Sequence, residues 1–118
     1  MKEQQMFKLP ETEQEVFDIV KVHLLIQNKQ SAANGTCRYR STVDGKELKC
    51  AAGVLIPEEF YSRDLEGATW KELVTGCDFP SEHRSLIYAL QSLHDHTPLE
   101  SWEEGLIEIA DRFKLKYY

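Results

Sequence analysis

Thr36-Cys37-Arg38-Tyr39-Arg40-Ser41-Thr42-Val43-Asp44-Gly45-Lys46-Glu47-Leu48-Lys49-Cys50 is the stretch from which the fold can be read. Residues alternate in character up to Thr42, and Asp44-Gly45 suits the two central positions of a type I′ corner, which both need positive φ. With that pair at the corner, Val43 faces Lys46, Ser41 faces Leu48, Arg40 faces Lys49 and Tyr39 faces Cys50. Period-two alternation then puts Cys37, Tyr39, Val43, Leu48 and Cys50 on one side and Arg38, Arg40, Glu47 and Lys49 on the other. A lone two-stranded ribbon is marginal in water, so its apolar side requires helices to pack against.

Those helices are legible on both sides of the ribbon. Upstream, Thr12-x-x-Glu15 is a capping box before a periodic apolar run, which predicts a helix from Thr12 to about Gln30. Val16, Phe17, Val20, His23 and Leu24 share its inner face, with Ile19 and Ile26 widening the stripe. Asn34-Gly35 supplies a turn. Downstream, Ala51 to Ile56 is an apolar run closed by Pro57, buried as a short helix or as extended chain, and 57–67 is an irregular connection. Thr69-x-x-Glu72 starts a short helix, Trp70 to about Thr75, stopped by Gly76. Ser81 caps a helix to about Asp95 with Leu86, Ile87, Leu90 and Leu93 inward. Thr97-Pro98-x-Glu100 opens a last helix burying Trp102, Leu106, Ile109, Ala110 and Phe113. The fold class is therefore α+β: a predominantly helical single domain of three to four helices packed around one β-hairpin. Residues 1–11 read as a flexible N-terminal arm and 12–118 as the globular domain.

With 118 residues, the chain suffices for one core and not two. Its 14 basic and 20 acidic residues give a net charge of −6, which argues against general or sequence-specific nucleic-acid binding. No apolar segment approaches the ~20 residues that span a bilayer, and no signal peptide is evident, so a cytoplasmic protein with no membrane partner is expected. Three cysteines, an odd number, fit reduced thiols. P-loop, dinucleotide-binding, zincin, EF-hand and serine-hydrolase motifs are all missing, so no cofactor is expected.

The segment Cys37-Arg38-Tyr39-Arg40, with Lys49-Cys50-Ala51-Ala52-Gly53-Val54-Leu55-Ile56-Pro57-Glu58-Glu59-Phe60-Tyr61, resembles a group of small uncharacterised proteins of tailed bacteriophages and prophages. Their pattern is C-x-Y-R, a Gly-containing turn, then K-C-A-x-G-x-L-I-P-x-E-x-Y, with H-L-x-x-Q upstream and L-x-x-H-D downstream. Here these flanking matches are His23-Leu24 with Gln27, and Leu93-His94-Asp95 within the stretch from Leu90. The resemblance implies a phage-encoded accessory protein in an infected bacterium. It transfers no activity.

Four constellations could carry chemistry. Cys37, Cys50, His23 and His94 could form a Cys2His2 metal site, although the cysteine spacing is not a zinc signature and two buried thiols explain the pair more simply. Cys37 or Cys50 with His94 and Asp95 could form a thiol hydrolase, but the ribbon register turns both thiols inward. Adjacent helical positions also diverge by about 100°, so Asp95 is poorly placed to orient His94, which is better used as a cation at its helix end. Arg38, Arg40 and Lys49 form a compact basic patch for a phosphate-bearing ligand or an acidic partner. Glu100, Glu104, Glu108 and Asp111, with Glu103, make an acidic stripe that could occupy a basic groove on a partner, or serve as a plain solvated face. Two function classes follow. One is non-covalent binding that modulates or inhibits a bacterial host (defence) protein, through Arg38, Arg40, Lys49, Glu100, Glu104, Glu108 and Asp111. The other is a small-molecule, nucleotide or metal site at the hairpin–helix junction, with His23, Gln27, Tyr39, Arg40, Lys49 and His94 as ligand-binding residues. Catalysis ranks below both.

Overall fold

The computed structural model describes residues 7–33 and 36–118. The expected Asn34-Gly35 turn and most of the N-terminal arm therefore lie outside the described residues. Four α-helices occur among those described: α1 (Glu13–Gln27), α2 (Trp70–Cys77), α3 (Arg84–His96) and α4 (Trp102–Arg112). They accompany two antiparallel ribbons, β1 (Ala32–Ala33) with β2 (Thr36–Cys37), and β3 (Arg40–Val43) with β4 (Lys46–Lys49). The fold is α+β, as the sequence predicts.

The corner behaves as its dipeptide requires. Asp44 and Gly45 both have positive φ, 52° and 80°, and the register pairs Arg40 with Lys49, Ser41 with Leu48 and Val43 with Lys46. Cys50 donates its N–H to the Tyr39 carbonyl at 3.2 Å, which extends the ladder by one rung. The long upstream strand, however, is broken. Arg38 gives its N–H to the Ser31 carbonyl, while the Glu66 carboxylate accepts the N–H groups of Tyr39 and Arg40 at 2.9 and 3.1 Å. A side chain from a distant loop thus takes amides that a continuous strand would have spent on pairing.

Helix α1 starts at the predicted Thr12 capping box, with both reciprocal bonds present. It stops at Gln27 and not near Gln30, because Asn28 adopts the left-handed conformation (φ 50°) and returns its N–H to Leu24. Val16, Phe17, Val20 and Leu24 are buried, but Ile19 and Ile26 are 43% and 79% exposed. The stripe is shifted because the C-terminal segment covers Lys21 instead. Its ammonium donates to the Tyr118 carbonyl at 2.7 Å and lies 4.5 Å from the Tyr117 ring centroid. Gln14 exchanges two further bonds with the backbone of Lys116.

The run after Cys50 resolves into a buried 3-10 turn, Gly53–Leu55, followed by two more at Glu58–Phe60 and Arg63–Leu65. A Cβ at Gly53 would stand 2.2 Å from the Tyr39 carbonyl oxygen, so only glycine lets this turn lie on the ribbon. Helix α2 carries the second predicted capping box but runs through Gly76 and ends at left-handed Asp78. Ser81 does not cap α3. That helix starts after left-handed His83, whose ring donates to the Pro10 carbonyl at 3.0 Å. Thr97-Pro98 opens a 3-10 turn, Leu99–Ser101, with no side-chain cap, and the Thr97 carbonyl instead accepts the Trp102 indole N–H at 2.9 Å.

One apolar core joins the helices, with Phe17, Leu24, Ile56, Leu86, Ile87, Leu90, Trp102 and Leu106 nearly or wholly inaccessible. Each such side chain contributes about 1.5–3 kcal/mol by leaving water. Phe113 is only half-buried at its edge. Phe7, within the stretch read as a loose arm, is buried against Phe60, Trp70 and Phe79. No helix among the described residues is long and apolar enough to cross a membrane.

Candidate functional site

Helix α3 carries His94 into the core, where it is fully buried. The Ser31 N–H donates to its Nε2 at 2.9 Å, which requires a lone pair there and leaves the ring proton on Nδ1. Nδ1–H then donates to Asp95 Oδ1 at 2.8 Å, and the ring lies 5.6 Å from the Trp102 ring. Asp95 Oδ1 also accepts from Gln91 at 2.8 Å, and the Gln91 carbonyl oxygen takes the Ala52 N–H at 2.8 Å. Burial opposes the charge on Asp95, but the bonds from His94, the neighbouring Cys37 thiol and Gln91 outweigh it and hold this carboxyl below its ordinary range.

The His94–Asp95 contact overturns the expectation drawn from helical geometry. Nδ1 is the ring nitrogen nearer the main chain, so an adjacent carboxylate reaches it although the two Cβ vectors diverge by about 100°. His94 is likewise not an exposed cation at a helix end.

Cys37 Sγ joins these two residues: the ligating atoms of Cys37, His94 and Asp95 lie within 4.8 Å of one another. Two chemistries depend on how the imidazole is wired. A metal-bound histidine turns a lone pair to the ion and donates its other N–H to an acceptor. Here the nitrogen facing the cluster holds the proton, and the other faces a backbone donor. Ligation through Nδ1 would move the proton onto Nε2, against the Ser31 amide. As it stands the cluster is wired as a hydrogen-bond chain and not as a ligand set. His23 and Cys50 are not among its members, so the expected Cys2His2 set is not assembled.

The same wiring weighs against His94 as a base for either thiol, because its Nε2 lone pair is engaged by the Ser31 amide. Burial and the adjacent Asp95 push the Cys37 thiol up to about 11. Burial pushes Cys50 up to about 12, although its sulfur accepts the Gly53 N–H at 3.2 Å. Neither is the low-pKa, accessible thiolate that attack requires.

The other expected ligand-binding residues are spent on the scaffold. His23 and Gln27, one turn apart on α1, both donate to the Lys49 carbonyl at 2.9 Å, and Gln27 accepts the Lys49 N–H at 2.9 Å. This clamp fastens α1 to the edge of β4. Tyr39 donates its hydroxyl to Ala68. Arg40, expected in water, is buried: it donates to the Ile56 carbonyl at 3.0 Å, pairs with Glu58 at 3.1 Å and lies 4.3 Å over the Tyr61 ring. The segment 53–61 wraps that face of the ribbon. The residues that carry the phage resemblance thus largely hold one another. Arg40 is withdrawn and Lys49 is half-buried, so the three-cation patch does not form; Arg38 remains, with no ion-pair partner among the described residues.

Two of the open surfaces involve residues singled out from the sequence. On α4, Glu103, Glu104, Glu108 and Asp111 are exposed, as is Glu100 in the preceding turn, and Ile107 among them is 47% exposed. Beside them a groove of about 660 Å³ separates α3 from α4, floored by Ala89, Leu93, Gly105 and Ile109 and bordered by Glu104 and Glu108. A second cleft, about 720 Å³, lies at the hairpin–helix junction between the Cys37–Tyr39 bend, the start of α2 and the outer side of α3. Of the junction residues named from sequence it includes Tyr39, but not His23, Gln27, Arg40, Lys49 or His94; Cys37, Arg38, Cys50 and Asp95, named in the other constellations, also line it. Its further lining residues, Trp70, Tyr88, Ser92 and His96, went unnamed. The signal was present: Tyr88, Ser92 and His96 follow i, i+4, i+8 beside the apolar stripe of α3. Comparison with protein-family models, curated proteins and solved structures finds no match.

Proposed function

We propose that this chain is a phage-type accessory protein of the infected bacterial cytoplasm that acts by non-covalent binding, modulating or inhibiting a host defence protein. The observation that carries this reading is the exposed face of α4, where Glu103, Glu104, Glu108 and Asp111, with Glu100 in the preceding turn, share the solvent side with the accessible side chain of Ile107. An apolar side chain among charges of one sign suits a protein partner with a basic surface that also offers an apolar contact. The charges steer encounter and reject acidic competitors, while the apolar side chain supplies the desolvated contact. The adjoining α3–α4 groove offers a pocket for a partner side chain. The wiring of His94 and the raised pKa of the Cys37 thiol support binding over catalysis at the Cys37–His94–Asp95 cluster.

The test is affinity capture from bacterial lysate with the tagged chain and with a Glu104→Lys/Glu108→Lys variant of equal melting temperature. A stoichiometric host protein retained by the native chain, lost by the variant and released by salt is expected. Capture that ignores the charge reversal, or none at all, refutes the reading.

A further inference from the structure

The junction cleft has a hydrogen-bonding imbalance that specifies what it can hold. Its carboxylates are already engaged. Glu66 accepts two backbone N–H groups and the Tyr61 hydroxyl at 2.6 Å, and Asp95 accepts from His94 and Gln91 beside the Cys37 thiol. Gln91 is used at both ends of its amide, and the Tyr39 hydroxyl is given to Ala68. Among the described residues, the lining side chains left without a hydrogen-bond partner include the Arg38 guanidinium, the His96 ring and the hydroxyls of Tyr88 and Ser92. All four can donate, and a guanidinium can only donate. Helix α2 begins on the same wall at Thr69–Trp70, with its end already closed by the Thr69–Glu72 capping box. Tyr88, Ser92 and His96 are exposed, so with Arg38 they present donors on the open side of the cleft, where an acceptor-rich ligand can meet them; the Glu66 and Asp95 carboxylates line the same cleft and confine an anion to that side.

Size narrows the class further. About 720 Å³ lies within the ~300–1,000 Å³ typical of small-molecule sites and far exceeds a bare oxyanion. Tyr88 and the apolar wall of Ala68 and Trp70 offer surface to a ring-bearing body. We infer that the cleft bounded by Arg38, Tyr88, Ser92 and His96 binds a small organic phosphate of nucleotide size, the phosphate on Arg38 and His96 and the ring against Tyr88.

The experiment titrates the full chain with AMP, GMP, CMP and UMP, and separately with inorganic phosphate, by calorimetry and by amide chemical shifts. At least one nucleoside monophosphate is expected to bind at least tenfold tighter than inorganic phosphate, shifting the amides of Arg38, Tyr88, Ser92 and His96. Arg38→Gln should weaken it at least tenfold. His96→Gln and Tyr88→Ala, both at exposed positions, repeat the test on the phosphate and on the ring if Arg38→Gln alters melting. Silence with all five probes at millimolar concentration overturns the inference, as does binding that survives these variants or maps elsewhere. Glu104 and Glu108 are not part of the cleft wall, so the α4 reading and this one fail separately.

Discussion

Replacing His94 with alanine tests whether the buried Ser31–His94–Asp95 chain holds the fold together. The substitution leaves the buried Ser31 N–H without an acceptor, which costs about 1–3 kcal/mol. It removes the ring contact with Trp102, worth about 0.5–1.5 kcal/mol, and opens a void at a fully buried position. The first two effects come to about 1.5–4.5 kcal/mol and the void adds to them, a large share of the 5–15 kcal/mol typical of native domains. Urea unfolding followed by tryptophan fluorescence should show the midpoint falling by more than about 1 M at unchanged slope. Asp95→Asn should couple to it: in the double variant the losses should fall short of additive by about 0.5–3 kcal/mol, because the two side chains act through one bond. A loss below about 1 kcal/mol for His94→Ala, or strict additivity, would refute the claim that this chain is structural and reopen a chemical role for the imidazole.

Ellman's reagent at pH 8 should find one fast thiol, exposed Cys77, a slower one, half-buried Cys37, and a third, Cys50, that reacts only on unfolding; Cys77→Ser should abolish the fast phase. Gly53→Ala should cost about 1–3 kcal/mol or more by chemical denaturation, because the new methyl meets the Tyr39 carbonyl at 2.2 Å and backbone must move. Ile26→Lys should change stability by less than about 0.5 kcal/mol despite replacing a large aliphatic residue, since this side chain is 79% exposed. Burial lowers the proton affinity of His23 below its ordinary 6.5, so the unfolded chain binds more protons as the pH drops through 6.5. Stability should therefore fall on acidification from that point until the folded ring protonates, and His23→Gln should reduce this slope in pH-dependent melting.

The local features were legible because their causes are local. A capping box needs only a Thr and a Glu three residues apart, and both Thr12-x-x-Glu15 and Thr69-x-x-Glu72 form as read. Asp44-Gly45 supplies its own positive φ values and with them the register of β3 and β4. The apolar period of α3 put Leu86, Ile87, Leu90 and Leu93 inward. What periodicity could not supply was the identity of distant partners. Glu66 breaks the ribbon at Tyr39 and Arg40, and the segment Ile56–Tyr61 takes Arg40 out of water. The C-terminal residues bury Lys21 at the expense of Ile19 and Ile26.

The candidate site divides in the same way. Residue type drew attention to Cys37, His94 and Asp95, which the fold brings together, but their chemistry depends on which nitrogen of His94 holds the proton. That is set by the Ser31 amide, 63 positions away. Sequence alone determined where chain direction and helix ends would be set, because backbone dihedrals and caps are satisfied within a few residues. Tertiary structure alone decided which polar groups are spent and which remain free, because a hydrogen bond between distant segments leaves no periodic mark on either.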